Sequence, residues 1–558
     1  MGYPDNMFES IKMVEATRPR RAEMAREGLQ KFLVPLSAEA REKVLRENHP
    51  DYQPDARKPI RVGPNRGEEL TSEVVDILER PSRLPRDFKL EPVDYQTDVL
   101  VIGGGGAGCQ AALWAAKEGA KVILSTKLRL GDANSMMSQG GMQASVNPGD
   151  SPLIHYLDAI GGGHFDNKPE LLKIMTTEAP YIVKFLEELG VIWDKLPDGH
   201  FQTQSGGGAS RRRMLSCRDY TGAEIMRVLR DEVRNHPDQI TVLEFLPAVE
   251  LIKDEEGKVA GAILFDMETG EFFVVQAKVV ILATGGFGRI HIRGFPTTNH
   301  YGATMDGVVM AYRAGARLLH MDSVQFHPTG AIYPPQIHGF LITEKIRAMG
   351  GQPVNAKGEL FVFPMEPRDV EASEYIQECK KGLGVRTPDG QYGIWLDSPL
   401  IEILNGPGTI ERAFPAMLRQ YRRFGIDIRE LPMLVYPTLH YQNGGVEIDE
   451  NCHSSVPNLL AAGEVSGGVH GRNRLMGNSV LDYNVFGRRA GIEAARIARE
   501  TEIKGRLNLD HVWDFEKELE REGIEKKGYS PLLLPEYRNL EALKRHRTAF
   551  DPFAPAGL

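Results

Sequence analysis

At Asp98 a polar stretch gives way to the unbroken apolar run Val99-Leu100-Val101-Ile102, followed by glycines and by a segment from Ala107 to Glu118 with apolar residues at helical spacing. The pattern predicts a buried strand from about Thr97, a helix, and a second parallel strand at Lys121-Val122-Ile123-Leu124, together a right-handed βαβ unit. Between Thr241 and Thr284 the pattern alternates. This predicts antiparallel ribbons that turn at Asp254-Glu255-Glu256-Gly257 and Met267-Glu268-Thr269-Gly270, with Lys278 to Leu282 returning to the parallel sheet. Leu459-Leu460-Ala461-Ala462 reads as a further buried strand and Val480 to Glu500 as a long helix. Residues 321–438 mix helix signals with frequent proline and glycine, the mark of an inserted domain. The fold class is therefore α/β, with a first sheet domain split into 97–320 and 439–499 around an α+β insertion.

The two ends differ from this body. Residues 1–96 are charged, and Pro50, Pro54, Pro59, Pro64, Pro81 and Pro85 leave room only for short helices such as Ser37 to Glu47. We read an arm laid over the main body or over a partner. Residues 500–558 are expected to form a short helical tail. Arg20-Arg21 is followed by charged rather than apolar residues, which makes it a solvated helix face and not an export signal.

Composition narrows the function. With Lys+Arg 67 against Asp+Glu 76 the net charge is -9, so there is no basic footprint for nucleic acid. Arg211-Arg212-Arg213, beside Gly206-Gly207-Gly208, has no interleaved aromatics and reads as a solvated loop or as a contact near a cofactor. Four cysteines, Cys109, Cys217, Cys379 and Cys452, lie far apart without CxxC or CxxCH. No metal site, iron-sulfur cluster or c-type haem is expected on this chain. No stretch approaches the length of a membrane span, and a soluble, cytoplasmic protein is expected.

Gly103-x-Gly105-x-x-Gly108 stands between the first predicted strand and helix, the context that distinguishes a dinucleotide fingerprint from an ordinary glycine-rich turn. The glycines allow the tight turn, the approach of backbone to pyrophosphate and the packing of helix on strand. At the end of the second strand, where an acid usually holds ribose, the chain has Ser125-Thr126-Lys127. Further glycine-rich stretches follow at Gly140-Gly141, Gly285-Gly286, Gly463-Glu464 and Asn478-Ser479. Glu464 suits a surface turn as well as a cofactor contact, and its place after a buried strand favours the contact.

Downstream lie His327-Pro328-Thr329-Gly330, Thr343-Glu344, Arg347, Arg368-Asp369, His440-Tyr441 and Arg474. Two carboxylates call for several donors each, with arginine the preferred bidentate partner. Singly, each histidine suits a packed core and Glu344 with Arg347 an exposed ion pair. In this order, and together with the glycine motif, the residues resemble the flavoprotein subunit of the fumarate reductase and succinate dehydrogenase family over roughly residues 97 to 495.

The resemblance implies an FAD-binding domain with a capping domain inserted in it, and FAD as cofactor. It implies that Ser125, Lys127, Gly140, Gly141, Gly285, Glu464 and Ser479 join the fingerprint glycines around FAD. It implies that His327, Thr343, His440 and Arg474 hold fumarate or succinate, that Arg368 donates the proton matching hydride from flavin N5, and that Glu344 and Arg347 relay protons to it. Two departures matter. Covalent members carry a histidine bonded to flavin where this chain has Asn134, so FAD is expected to be non-covalent, a stronger reductant, and suited to fumarate reduction. The tail is also too short for the helical domain usual in membrane-associated members. An iron-sulfur partner subunit is expected to feed the electrons. L-Aspartate oxidase, which shares this fold and most of these residues, is the near alternative, and an electron-transfer scaffold without its own substrate is the distant one.

Overall fold

The structure is a computed structural model that describes residues 2–535. Its centre is a seven-stranded sheet in the order Ile240–Glu244, Val122–Thr126, Tyr95–Ile102, Phe272–Leu282, Val259–Phe265, Ala248–Lys253, with Leu459–Ala461 also paired to Phe272–Leu282. Val99 to Ile102 and Val279 to Leu282 are buried, as strands covered on both faces must be. The first four strands and Leu459–Ala461 run parallel, whereas Val259–Phe265 runs antiparallel to both of its neighbours, Phe272–Leu282 and Ala248–Lys253. The α/β class stands. The antiparallel ribbon begins at Ala248 and not at Thr241, because Ile240–Glu244 pairs in parallel with Val122–Thr126. Helices Gly106–Lys117 and Asn478–Glu500 pack together over this sheet.

A second, five-stranded sheet contains Val324–Ala331, Met433–Gln442, Tyr392–Asp397 and Gln352–Val354 in that order, with Val385–Arg386 on Tyr392–Asp397. Every residue of Val324–Ala331 is buried. Its pairing with Met433–Gln442 slips between Gln325 and Phe326 and again between His327 and Gly330, the kind of irregularity that re-aims side chains. Helix Arg368–Lys380 lies across this strand.

The N-terminal segment departs from the expectation of short helices only. Asp5–Glu27 is one continuous helix of 23 residues with Pro19 inside it. Met7, Ile11 and Val14 form a buried stripe at i, i+4, i+7, and at its far end Arg18 and Arg21 both pair with the fully buried Asp397. These contacts offset the backbone hydrogen bond that Pro19 removes. Helix Ala38–Asn48, N-capped by Ser37, packs on helix Arg368–Lys380. Beyond it, Ser82 donates its hydroxyl at 2.6 Å to Glu250 in strand Ala248–Lys253 of the first sheet. The segment thus touches the elements of both sheets. At the other end, helix Asp510–Arg521 is followed by a return over the body in which the Leu533 carbonyl accepts from Lys127. Among the described residues no helix is long and apolar enough to cross a membrane.

Candidate active site

The strand Tyr95–Ile102 delivers the chain into the glycine motif. Gly103 has φ +118, and a Cβ on it would lie 2.2 Å from the Ala283 carbonyl oxygen. A Cβ on Gly108 would lie 1.7 Å from the oxygen of Gly103, so helix and strand meet here only without side chains. Gly105 precedes the first turn of Gly106–Lys117 and leaves its amide end facing a long cleft.

The cleft encloses about 1570 Å³ including its open mouth. It runs without a break from the glycine motif to His327, His440 and Arg474. Ser125, Lys127, Asn134, Gly140, Gly141, Gly285, Glu464 and Ser479 all line it, as do His327, Thr343, Glu344, Arg368, His440 and Arg474. Gly108 stands behind the wall in its helix, and Arg347 stands behind Glu344.

At the end nearest the second strand, Lys127 is bound to Asp306, to Thr304 at 2.6 Å and to the Leu533 carbonyl at 2.7 Å. Ser125 donates its hydroxyl to the Leu246 carbonyl. In the middle, the Asn134 amide donates to Asn299 at 2.8 Å and to Glu464 at 3.2 Å, and accepts from the His300 N–H at 2.6 Å. Burial lifts the Glu464 carboxyl to about 7, against the Gln442 N–H and Asn134, which favour its charged form. Around the same cleft the Thr284 hydroxyl, the Tyr483 hydroxyl and Arg474 Nε are buried without a partner inside the protein. Each such group costs about 1–3 kcal/mol unless a ligand meets it. A Cβ on Gly285 would touch nothing within 4 Å, so this glycine faces open space. A glycine cradle at a helix N-terminus with unmet donors beyond it fits FAD.

The other end is cationic. His327 lies with its ring centroid 4.9 Å from that of His440. His327 Nδ1 accepts the Thr329 backbone N–H at 3.1 Å, which leaves Nε2 to carry the ring proton. Burial first, then Arg368, holds both imidazoles well below their ordinary value, so they are neutral donors. Arg474 lies over the Tyr441 ring, its guanidinium carbon 4.4 Å from the centroid, and burial followed by the Arg368 charge pushes it down to about 9. Arg368 is lowered as well, chiefly by burial, with Glu344 opposing.

Glu344 immediately precedes the short helix Lys345–Ala348 and organises the acid side of the site. It accepts from Arg368 Nε at 2.8 Å and from the Gly207 N–H at 2.6 Å, and Arg347 approaches to 3.4 Å. Burial raises its pKa, but the two arginines outweigh burial and hold the carboxyl below its usual range.

Sequence reasoning missed Gln325. Its side-chain oxygen accepts from Arg368 at 3.0 Å and from Arg474 at 2.9 Å, and its amide nitrogen donates to Asn473 and the Arg474 carbonyl. It therefore ties the two arginines together. Its place two residues before His327 on a strand was the available signal, since such residues share a face. Arg213, expected in a solvated loop or near the cofactor, is instead buried against Asp150 and Asp158, while Arg211 and Arg212 are exposed.

With this geometry in hand, residues 98–480 match the model of the FAD binding domain family. One subunit of the fumarate reductase (CoM/CoB) of Methanothermobacter marburgensis is 40% identical over 72% of this chain and 73% of its own. The chain belongs to the fumarate reductase and succinate dehydrogenase flavoprotein family. It is an FAD-dependent oxidoreductase. Its relatives include an L-aspartate oxidase of Streptomyces coelicolor, 35% identical over 74% of this chain and 71% of that one. Among solved structures, the FrdA chain of E. coli quinol fumarate reductase superposes with a TM-score of 0.68 at 30% identity, over 77% of this chain and 74% of that one.

Proposed function

We propose that this chain reduces fumarate to succinate, as the flavoprotein subunit of an assembly in which an iron-sulfur partner supplies electrons. The observation that carries the reading is the buried Arg368, aimed into the cleft with Glu344 behind it and tied through Gln325 to Arg474. Arg474 and His440 hold one carboxylate, and His327 and Thr343 donate to the other. Bound in the glycine cradle by Gly103, Gly105, Ser125, Lys127, Asn134, Gly140, Gly141, Gly285, Glu464 and Ser479, FAD supplies the hydride. The binding is non-covalent, because an amide at Asn134 cannot form the histidyl bond. Arg368 gives its proton to the carbon next to the one that receives hydride, and Glu344 with Arg347 restores it. Among cations and out of water, the neutral form of an arginine is less costly than in solution.

The deciding assay gives the FAD-loaded protein reduced viologen under anaerobic conditions, with fumarate as acceptor. Dye oxidation dependent on fumarate is expected. Failure, with a known fumarate reductase active in parallel, would turn the reading to an electron-transfer scaffold, and peroxide formed from aspartate in air would turn it to L-aspartate oxidase.

A further inference from the structure

Beside the cationic end of the cleft lies a second hollow, in the seam between the first sheet domain and the insertion. It encloses about 450 Å³ including its open mouth, with Gln139 and Phe340 on its inner side and helix Pro415–Arg422, continued by Arg423, on its outer side. Gln139 also lines the cleft, as does Leu341, the neighbour of Phe340, so the two spaces share a wall. Thr343 stands close behind that wall. A Cβ on Gly140, the residue after Gln139, would lie 3.3 Å from the Thr343 hydroxyl oxygen. Thr343, Glu344 and Arg368 are buried, whereas Gln139 and Leu341 are half-buried.

The outer side is charged. Ala416, Arg419, Gln420 and Arg423 follow one another at i, i+3, i+4 and i+7, so a single helix face turns all four to the hollow. Asp219 of the first domain accepts the Ala416 and Met417 N–H groups at 3.2 and 2.8 Å, which fixes the helix across the seam. Arg422 is paired with Asp427, which also takes Arg429. Arg419 and Arg423, in contrast, are exposed and have no carboxylate within ion-pair distance among the described residues. The side-chain oxygen of Gln139 is buried and has no hydrogen-bond partner in the protein.

Resting on the fumarate-reducing reading above, we propose that this hollow is the entrance by which a dicarboxylate dianion reaches the cleft, with Arg419 and Arg423 drawing it in past Gln139. The chain as a whole carries a net charge of -9, so its overall field repels a dianion and a productive approach needs a local cationic mouth. Two guanidinium groups unclaimed by any internal carboxylate supply it, and Arg368 and Arg474 continue it inside the cleft. Exposed and hydrated, Arg419 and Arg423 hold a carboxylate only weakly. Their charge therefore acts on the rate of encounter and not on the stability of the bound state.

The test uses the FAD-loaded protein and malonate, a dicarboxylate with no double bond to reduce, whose binding is followed by stopped flow through the flavin absorbance. Arg419→Gln combined with Arg423→Gln should slow malonate association at low salt by about three- to tenfold, part of the roughly 10- to 10³-fold that a charged cleft can contribute. The off-rate should stay within about twofold. At about 1 M salt, where the Debye length falls to about 3 Å, variant and wild type should converge. Arg419→Lys with Arg423→Lys, which keeps the charge, should restore the wild-type rate. In fumarate turnover the glutamine pair should lower kcat/KM at low salt and leave the limiting kcat unchanged. Equal association rates for the glutamine pair and the wild type at low salt would overturn the proposal, as would a change confined to the off-rate or a lysine pair that restores nothing. If malonate associates with the expected salt dependence but fumarate is not reduced, the functional reading fails and the entrance stands; a wild type that binds no malonate would defeat both.

Discussion

An arginine serves as an acid only where its neutral form is tolerable, and the groups around Arg368 bear on this individually. Burial lowers its pKa, Arg347 pushes in the same direction, and Glu344 alone among the near neighbours supports the charge strongly. On the proposed reading, Arg368→Gln removes a proton that moves only in the transition state, so kcat should fall by about 10²–10⁴ while fumarate affinity stays within a few-fold. Steady-state assay beside equilibrium binding of fumarate checks this, and near-normal turnover would end the assignment. Asn134 makes a second prediction at this scale. An amide offers no histidyl attachment, so acid or heat denaturation should leave all flavin in the supernatant. Flavin fluorescence on a denaturing gel band would refute it. The residues legible in the sequence were those inside short motifs, such as His327, Arg368 and Arg474. Gln325 was not, because it acquires its role from partners that only the fold brings near, 149 residues away for Arg474.

At the scale of elements, the N-terminal helix Asp5–Glu27 shows where local reading gave way to packing. The prolines that argued against long helices begin at Pro50 and say nothing about residues 5–27, and the one proline inside the helix is outweighed by what its face touches. That face ends in Arg18 and Arg21 on Asp397, an acid with no exposure, with Gln352 as an additional acceptor for Arg21. Removing one member of a buried ion pair leaves the other uncompensated, at a cost of about 3–5 kcal/mol. Asp397→Ala should therefore lower the unfolding free energy by that much and open residues 18–27 to protease before the rest of the chain unfolds. Unchanged stability with an uncut N-terminal segment would mean that the apolar stripe of Met7, Ile11 and Val14 is sufficient by itself. The strand Val324–Ala331 shows the complementary case. Its sequence, Val-Gln-Phe-His-Pro-Thr-Gly-Ala, has no apolar run and predicts neither its burial nor the two slips in pairing around His327, since these arise from the partner strand.

For the whole molecule, the α/β class was legible because its buried strands and helix carry uninterrupted apolar patterns on either side of the inserted segment. The path of the N-terminal segment over both sheets was not legible, since it rests on contacts such as Ser82 to Glu250 that no local pattern encodes. The last prediction concerns where electrons come from. Fumarate reduction consumes two electrons per turnover, yet the four cysteines are scattered, all buried and unpaired, and the sequence has one dinucleotide fingerprint, already assigned to FAD. On the proposed reading, the reductant reaches the flavin from another protein. The relative from Methanothermobacter marburgensis is itself one subunit of its fumarate reductase. Purified from its source under native, anaerobic conditions, the chain should bring down a second polypeptide together with iron, and the pair should reduce fumarate with that polypeptide's electrons. Mass spectrometry, iron analysis and the dye-linked assay test this on one sample. An iron-free preparation of this polypeptide alone that couples NADH oxidation to fumarate reduction would defeat it, because the flavin would then take electrons directly through a surface that carries no second nucleotide motif.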